Sequence, residues 1–396
     1  MMAVNMSKEQ EKPGFKGKNE ARGSRIDLRA YTMVIALLAI WAVFIFLTDG
    51  RFVSARNISM LTRQMSITSI LAVGMVLVIV AGHIDLSVGS VAGFTGAVAA
   101  ILQVWYHWGT IPTLLAALAV GVLIGGWQAF WVAYRGVPAF IVTLSSMLVF
   151  RGGILLITKG VTVSPLSHSF KVLGEGYVSP LGSTILAALA SLVYIWTVIR
   201  ARNSRVKYGL PVSPLLVDTV RTVAVVALTG LFTFTVNSYE GLPIPVLLLI
   251  VLAIVFTFIA NNTKFGRHVY AIGGNKEAAI YSGVNLKKVN SLIFILMGAL
   301  AAVAGVILTA RLNAATTNAG NLFELDAIAA AILGGTSTLG GVGTISGALL
   351  GGLIMASIDN GMSLVNIDYS IQTMVKGLIL VLAVAIDIAS KNKKKR

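Results

Sequence analysis

Ten apolar runs dominate this chain, at about residues 31–48, 65–81, 88–104, 112–134, 139–158, 182–199, 222–237, 244–260, 291–310 and 370–388. A helix needs about 17–25 apolar residues to cross the hydrocarbon of a bilayer. Runs of that length, repeated this often, leave too little polar surface to cover a water-soluble core. Charged residues make up only 12% of the sequence and hydrophobic ones 56%, against roughly 25% charged in soluble domains. The fold class expected is therefore all-α, a polytopic transmembrane helix bundle.

Residues 326–358 are apolar as well, but Gly334, Gly335, Gly340, Gly341 and Gly343 interrupt them. Two half-helices meeting at a glycine-rich turn fit this stretch, because unwound backbone at membrane depth is tolerated only where protein buries it or water reaches it. About ten spans plus this broken or re-entrant pair are expected, or twelve if the pair fully crosses. Residues 1–30 read as a disordered basic tail, 31–390 as the transmembrane domain and 391–396 as a second basic tail.

Lys and Arg set the orientation. With the N-terminus in the cytoplasm, the inward segments 1–30, the loop at Arg135, 200–221, 261–290 and 391–396 hold 23 basic residues, and the outward segments hold six. That asymmetry predicts both termini in the cytoplasm. The net charge of +16 is spread over loops and not gathered in one aromatic-interleaved patch, so nucleic acid is not an expected partner. The run at 391–396 anchors the last span and can touch anionic membrane lipid.

No catalytic set emerges. The absence of cysteine removes disulfides, thiolate metal sites and thiol nucleophiles. His83, His107, His168 and His268 lack ligand spacing, and no phosphate-cradling G-x-x-x-x-G-K-[ST] occurs. Neither a metal nor a cofactor is expected, and the chain does not read as an enzyme. Polar and ionisable groups at span ends or within spans are then the functional candidates: Asp85, Ser87, Gln128, Trp131, Thr143, Asp359 and Asn360, along a substrate pathway or its gate. Asp85 has a second reading, as the N-cap of a helix beginning near Ser87. Trp127 and Trp131, one turn apart, make an aromatic face beside Gln128 that suits either sugar stacking or plain helix packing. Arg151 and Lys376 need carboxylates such as Asp359 or Asp326, or backbone carbonyls. Gly89-x3-Gly93 and Gly343-x3-Gly347 echo one another, either as an internal repeat or as small-residue helix packing.

Residues 265–284 are too polar to span. Glu277-Ala278-Ala279 reads as a short helical run, and Gly283 suits a helix end that needs a left-handed residue. The small side chains would let a partner surface approach closely; a plain amphipathic loop helix is the alternative.

At this point the residues resemble a known family, the permease subunits of ATP-binding-cassette importers, in the branched-chain amino acid/ribose branch. Glu277-Ala278-Ala279-x3-Gly283 is similar to the start of their coupling loop, with Ile293 in place but Ile295 and Leu296 where Leu-Pro is usual. Gly82-His83-Ile84-Asp85-Leu86-Ser87-Val88-Gly89-Ser90 resembles a sugar-permease signature. Val137-Pro138-Ala139-Phe140-Ile141-Val142-Thr143-Leu144, followed by Arg151-Gly152, resembles a second. Tyr270-Ala271-Ile272-Gly273-Gly274-Asn275 and Leu333-Gly334-Gly335-Thr336-Ser337 continue the likeness in order, over about residues 48–389.

The resemblance implies about ten helices per subunit, a homodimer, cytoplasmic ATP-binding subunits that carry the hydrolysis, a periplasmic sugar-binding protein and a bacterial inner membrane. It implies a monosaccharide crossing by alternating access. Thr48-Asp49-Gly50 and Trp131-Val132-Ala133-Tyr134-Arg135 put D-xylose first. Gly273, Gly274, Asn275, Glu277, Ala278, Ala279 and Gly283 would form the ATPase-coupling loop. A secondary sugar transporter or facilitator, working without an ATPase, is the alternative.

Overall fold

A computed structural model describes residues 28–395, so the N-terminal tail lies outside the described residues up to position 27. The first half runs α1 (Leu28–Leu47), α2 (Ala55–Val80), α3 (Val88–Val104), α4 (Thr110–Ala129), α5 (Ala139–Thr158) and α6 (His168–Glu175), then β1 (Tyr177–Val178) and α7 (Pro180–Lys207). It continues with α8 (Leu215–Asn237), β2 (Leu242–Pro243), α9 (Ile244–Asn262), α10 (Lys264–Gly274) and α11 (Lys276–Tyr281). The last elements are α12 (Leu286–Leu312), α13 (Phe323–Leu333), α14 (Ile345–Leu364) and α15 (Tyr369–Lys395). Among the described residues nine helices have the length and composition to cross a membrane, with α4 counted together with its π-type extension through Tyr134. Thr32–Leu47 and α3 are shorter apolar helices. The all-α transmembrane bundle is thus the architecture observed.

The glycine-interrupted stretch breaks where expected, but not into two halves. α13 has 11 residues and α14 has 20. At 1.5 Å per residue α13 covers about 16 Å, half a hydrocarbon core of about 30 Å, whereas α14 is long enough to cross alone. The asymmetry comes from the approach to α13, which is not helical. Ala315 bridges to Val163, and Gly320 turns with φ +71° against the backbone of Gly89.

α2 and α12 form the centre of the bundle. Their most apolar windows are 78% and 72% buried, against 6% for α7 and 0% for α8. Lipid tails supply no hydrophobic drive for helices to associate, so close approach of small residues has to supply the packing. Gly121 of α4 and Gly298 of α12 face each other so tightly that a Cβ on either would run into the other's backbone. The two halves of the Gly-x3-Gly echo act likewise: Gly89 and Gly93 lie on the Gly320 and Ala319 carbonyls, and Gly347 lies on Gly334.

α2 begins ten residues before the apolar run that announced it. Its polar first turns are accommodated by partners. Ser54 accepts the Asn57 amide, Asn57 exchanges amide hydrogen bonds with Asn360 at 2.8 and 3.0 Å, and the Arg63 guanidinium lies over the Tyr177 ring. β1 and β2 pair antiparallel at the same end of the molecule, Tyr177 opposite Pro243. α7 and α9 both start beside this small sheet, and α9 ends against α10, which leads into α11.

Candidate functional site

The connection between α2 and α3 is where the polar candidates converge. Gly82 turns the chain with φ +84°, and Asp85 and Ser87 follow, each only 1% exposed. A buried carboxylate needs donors, and Ser87 provides two. Its backbone N–H and its Oγ–H both donate to Asp85 Oδ1, at 2.8 and 2.6 Å. Gln128, buried on α4, donates from Nε2 to Ser87 Oγ at 2.7 Å, and Thr143 on α5 donates to the Ile84 carbonyl at 3.3 Å. Four of the seven pathway candidates thus share one site built from three elements. Asp85 is not the N-cap of α3: that position is Ser87, whose side chain makes no capping bond. The carboxylate instead closes a tight turn two residues ahead of it, because Ser87 N–H lies nearer than the amides of the first helical turn.

The other three candidates lie elsewhere. Trp131 points to the outer surface of the bundle, edge-on to Trp127 at 6.5 Å, while Gln128 faces inward. The aromatic face therefore lies away from Gln128: Trp127 and Trp131 are 43% and 38% exposed, and Gln128 only 1%. Asn360 is spent on Asn57. Asp359 belongs to a charge triad in which Lys376 Nζ reaches Asp359 Oδ2 at 2.8 Å and Asp326 Oδ2 at 3.0 Å. The triad ties α13, α14 and α15 together. Arg151 donates to the Ala319 carbonyl at 3.1 Å.

Sequence reasoning missed two residues. Glu324 sits buried in the first turn of α13, against Gly89, with Oε2 lacking a hydrogen-bond partner. An acid in the first turn after a break is the pattern that a helix N-terminus favours, and it was legible. Tyr270 lies on α10 and donates its hydroxyl to the Gly343 carbonyl at 2.7 Å. Burial pushes its phenol above the ordinary range, so it stays protonated as a donor.

Tyr270 is one of several ties between the polar segment 264–283 and the break between α13 and α14. Gly341 N–H donates to the Val80 carbonyl at 2.9 Å, at the end of α2. Gly273 of α10 abuts the same Val80 carbonyl and Gly341, so closely that a Cβ would collide. Thr338 in the turn donates to Asp387 of α15 at 3.2 and 3.1 Å. One patch therefore gathers α10, the end of α2, the broken pair and α15.

The short helix beyond it is organised as its sequence suggests. Asn275 caps α11 by accepting the Ala278 N–H at 3.0 Å, and Gly283 takes φ +80° just past the helix end. Gly274, Glu277 and Ala278 are exposed. Ala279 is not: at 4% exposure it packs inward on the chain's own core, one helical residue round from Ala278. The outer surface is offered by Ile280 and Tyr281, 50% and 90% exposed.

This arrangement joins a buried polar turn, through the end of α2 and the break between α13 and α14, to a short exposed helix. The family described as "Branched-chain amino acid transport system / permease component" matches residues 57–384. The chain is 48% identical to the xylose transport system permease protein XylH of Haemophilus influenzae, over 93% of this chain and 98% of that one. It is 46% identical to XylH of Escherichia coli strain K12, over 93% and 94% respectively. The ribose import permease protein RbsC of Escherichia coli strain K12 is 34% identical over 92% of this chain and 97% of its own. No solved structure matches the chain. A family match over residues 57–384, with near full-length relatives, makes this chain a member of the branched-chain amino acid transport system permease component family.

Proposed function

We propose that the chain is the permease subunit of an ATP-binding-cassette importer that carries a monosaccharide, D-xylose first, across a bacterial inner membrane. The single observation that carries this reading is the near full-length identity of 48% and 46% to xylose permeases. The chain makes and breaks no covalent bond. Hydrolysis belongs to a separate ATP-binding subunit, and delivery to a periplasmic sugar-binding protein. Two copies of the permease enclose the path, both termini are cytoplasmic, and membrane lipid surrounds the bundle.

Coupling runs through the segment from Gly273 to Gly283. Glu277, Ile280, Tyr281 and Gly283 face the ATPase, while Gly273 and Tyr270 carry the movement into the break between α13 and α14. The exposed apolar pair on a polar loop supports this reading. Asp85, Ser87, Gln128 and Thr143 form the gate. Import needs two states that differ in the contacts they make, and the junction at Val80, Gly273 and Gly341 is short enough to change between them as a unit.

Reconstitution in liposomes with the partner ATPase and binding protein tests the reading, with uptake measured across a panel of pentoses and hexoses. ATP-dependent uptake, greatest for xylose, is expected. Uptake of equal rate without the ATPase would replace the importer by a facilitator.

A further inference from the structure

α7 and α8 are the least buried of the candidate spans among the described residues, and the loop at their tip exposes large apolar side chains. Tyr208, Leu210, Leu215 and Leu216 are 71%, 55%, 64% and 73% exposed there, among basic side chains. Large exposed apolar groups beside arginines mark a surface that meets lipid headgroups and acyl chains together.

The tip also has a shaped concavity. A groove of about 190 Å³ is lined by Arg202, Arg205, Ser213, Asp218 and Arg221. Arg202 is fixed in its wall, donating to the Ser213 carbonyl at 2.9 Å and to Asp218 Oδ2 at 2.6 Å. That pair accounts for the groove's acid. Arg205 and Arg221 pair with no carboxylate among the described residues, so the groove keeps two uncompensated positive charges. On the neighbouring face of α7, Arg200 stacks on Trp196 at 5.1 Å, beside a second groove that includes Lys207 and Tyr208. The hairpin also presents exposed Val193, Val220 and Val223.

We propose that this tip binds the phosphate headgroup of an anionic phospholipid, held by Arg205 and Arg221, with the acyl chains along the apolar flanks of α7 and α8. A soluble phosphate would use the arginines but not the flanks; the continuity of the two favours the lipid. The inference rests on the chain's being a membrane protein and not on its transport reading, so a binding measurement separates the two.

Delipidated protein in detergent, titrated with phosphatidylglycerol or phosphatidylcholine and read by native mass spectrometry, should favour phosphatidylglycerol. The double variant Arg205→Gln/Arg221→Gln should lose roughly thirtyfold in phosphatidylglycerol affinity, as expected for two basic groups at an anionic surface. Its phosphatidylcholine binding, weak from the start because choline offsets the phosphate charge, should fall much less. Arg205→Lys/Arg221→Lys, which keeps the charge, should retain most of the affinity. Inorganic phosphate and glycerol phosphate should not displace the lipid. The proposal is overturned if the wild-type protein shows no anionic preference, if the glutamine variant binds as tightly as wild type, or if inorganic phosphate displaces the lipid. Should the glutamine variant fail to fold by circular dichroism, the wild-type preference and the phosphate competition decide the matter between them.

Discussion

The hydroxyl of Tyr270, on the helix that precedes the exposed α11, donates to the carbonyl of Gly343, in the break between α13 and α14, at 2.7 Å. These residues are 73 positions apart in sequence. Their bond joins the segment that leads into the exposed α11 to the point where a helix is interrupted.

Tyr270→Phe keeps the ring and deletes only the donor. A buried carbonyl left without its partner costs about 1–3 kcal/mol, so thermal unfolding in detergent should show a modest drop. ATP-driven uptake should fall further than association with the ATPase does. Loss of association together with uptake would assign Tyr270 to the docking surface instead.

Asp85→Asn preserves an acceptor for the Ser87 N–H and Oγ–H while removing the charge. Stability should stay within about 1 kcal/mol of wild type, because the turn keeps its bonds. Uptake should drop at least severalfold if the carboxylate works in the gate. Uptake equal to wild type at equal abundance would reduce Asp85 to a turn-former.

Lys376→Met leaves Asp326 and Asp359 facing each other with no counter-charge. Breaking a buried ion pair from one side costs roughly 3–5 kcal/mol, and α15 should loosen from α13, seen as faster hydrogen exchange over residues 369–389. Adding Asp326→Asn and Asp359→Asn should restore most of that stability. If the single variant is as stable as wild type, the triad is not what holds α15 in place.

Coupling can be tested on side chains that project away from the bundle. Tyr281 is 90% exposed, and a side chain at Gly283 meets open space, with some backbone strain because its φ is +80°. Gly283→Asp and Tyr281→Ser should both reach the membrane at normal abundance yet lose ATPase association and ATP-driven uptake. Ala279→Arg is the contrasting case, since a long charged side chain in the Ala279 position disturbs the chain's own packing and should lower abundance. Full ATP-driven transport by Gly283→Asp and Tyr281→Ser would move the coupling element away from α11.

Orientation follows from basic residues and is read with single cysteines, on a background that has none. Ser204→Cys and Ser282→Cys, both at exposed positions, should be protected in intact cells from an impermeant thiol reagent and become labelled after permeabilisation. Labelling of either one from outside would invert the topology.

The ten apolar runs, the break after residue 333 and the short helix α11 were legible in the sequence because each is a local property. A run of apolar residues needs only its own length to demand lipid. Consecutive glycines need only their neighbours to stop a helix, and Asn275 caps through an amide three residues on. The polar site was legible in its membership more than in its arrangement. Asp85, Ser87, Gln128 and Thr143 stand out as polar groups in apolar surroundings, but their convergence depends on three helices folding to one place. Tertiary structure alone decided that α14 is a full span and α13 a half, since the non-helical entry to α13 is held by Gly89 and Val163 from distant segments. It alone turned Trp131 outward, placed Ala279 inward, and brought Lys376 to Asp326 across 50 positions. Periodicity fixes the angle between two side chains on one helix; which of them meets lipid, water or another helix is set by what packs against it.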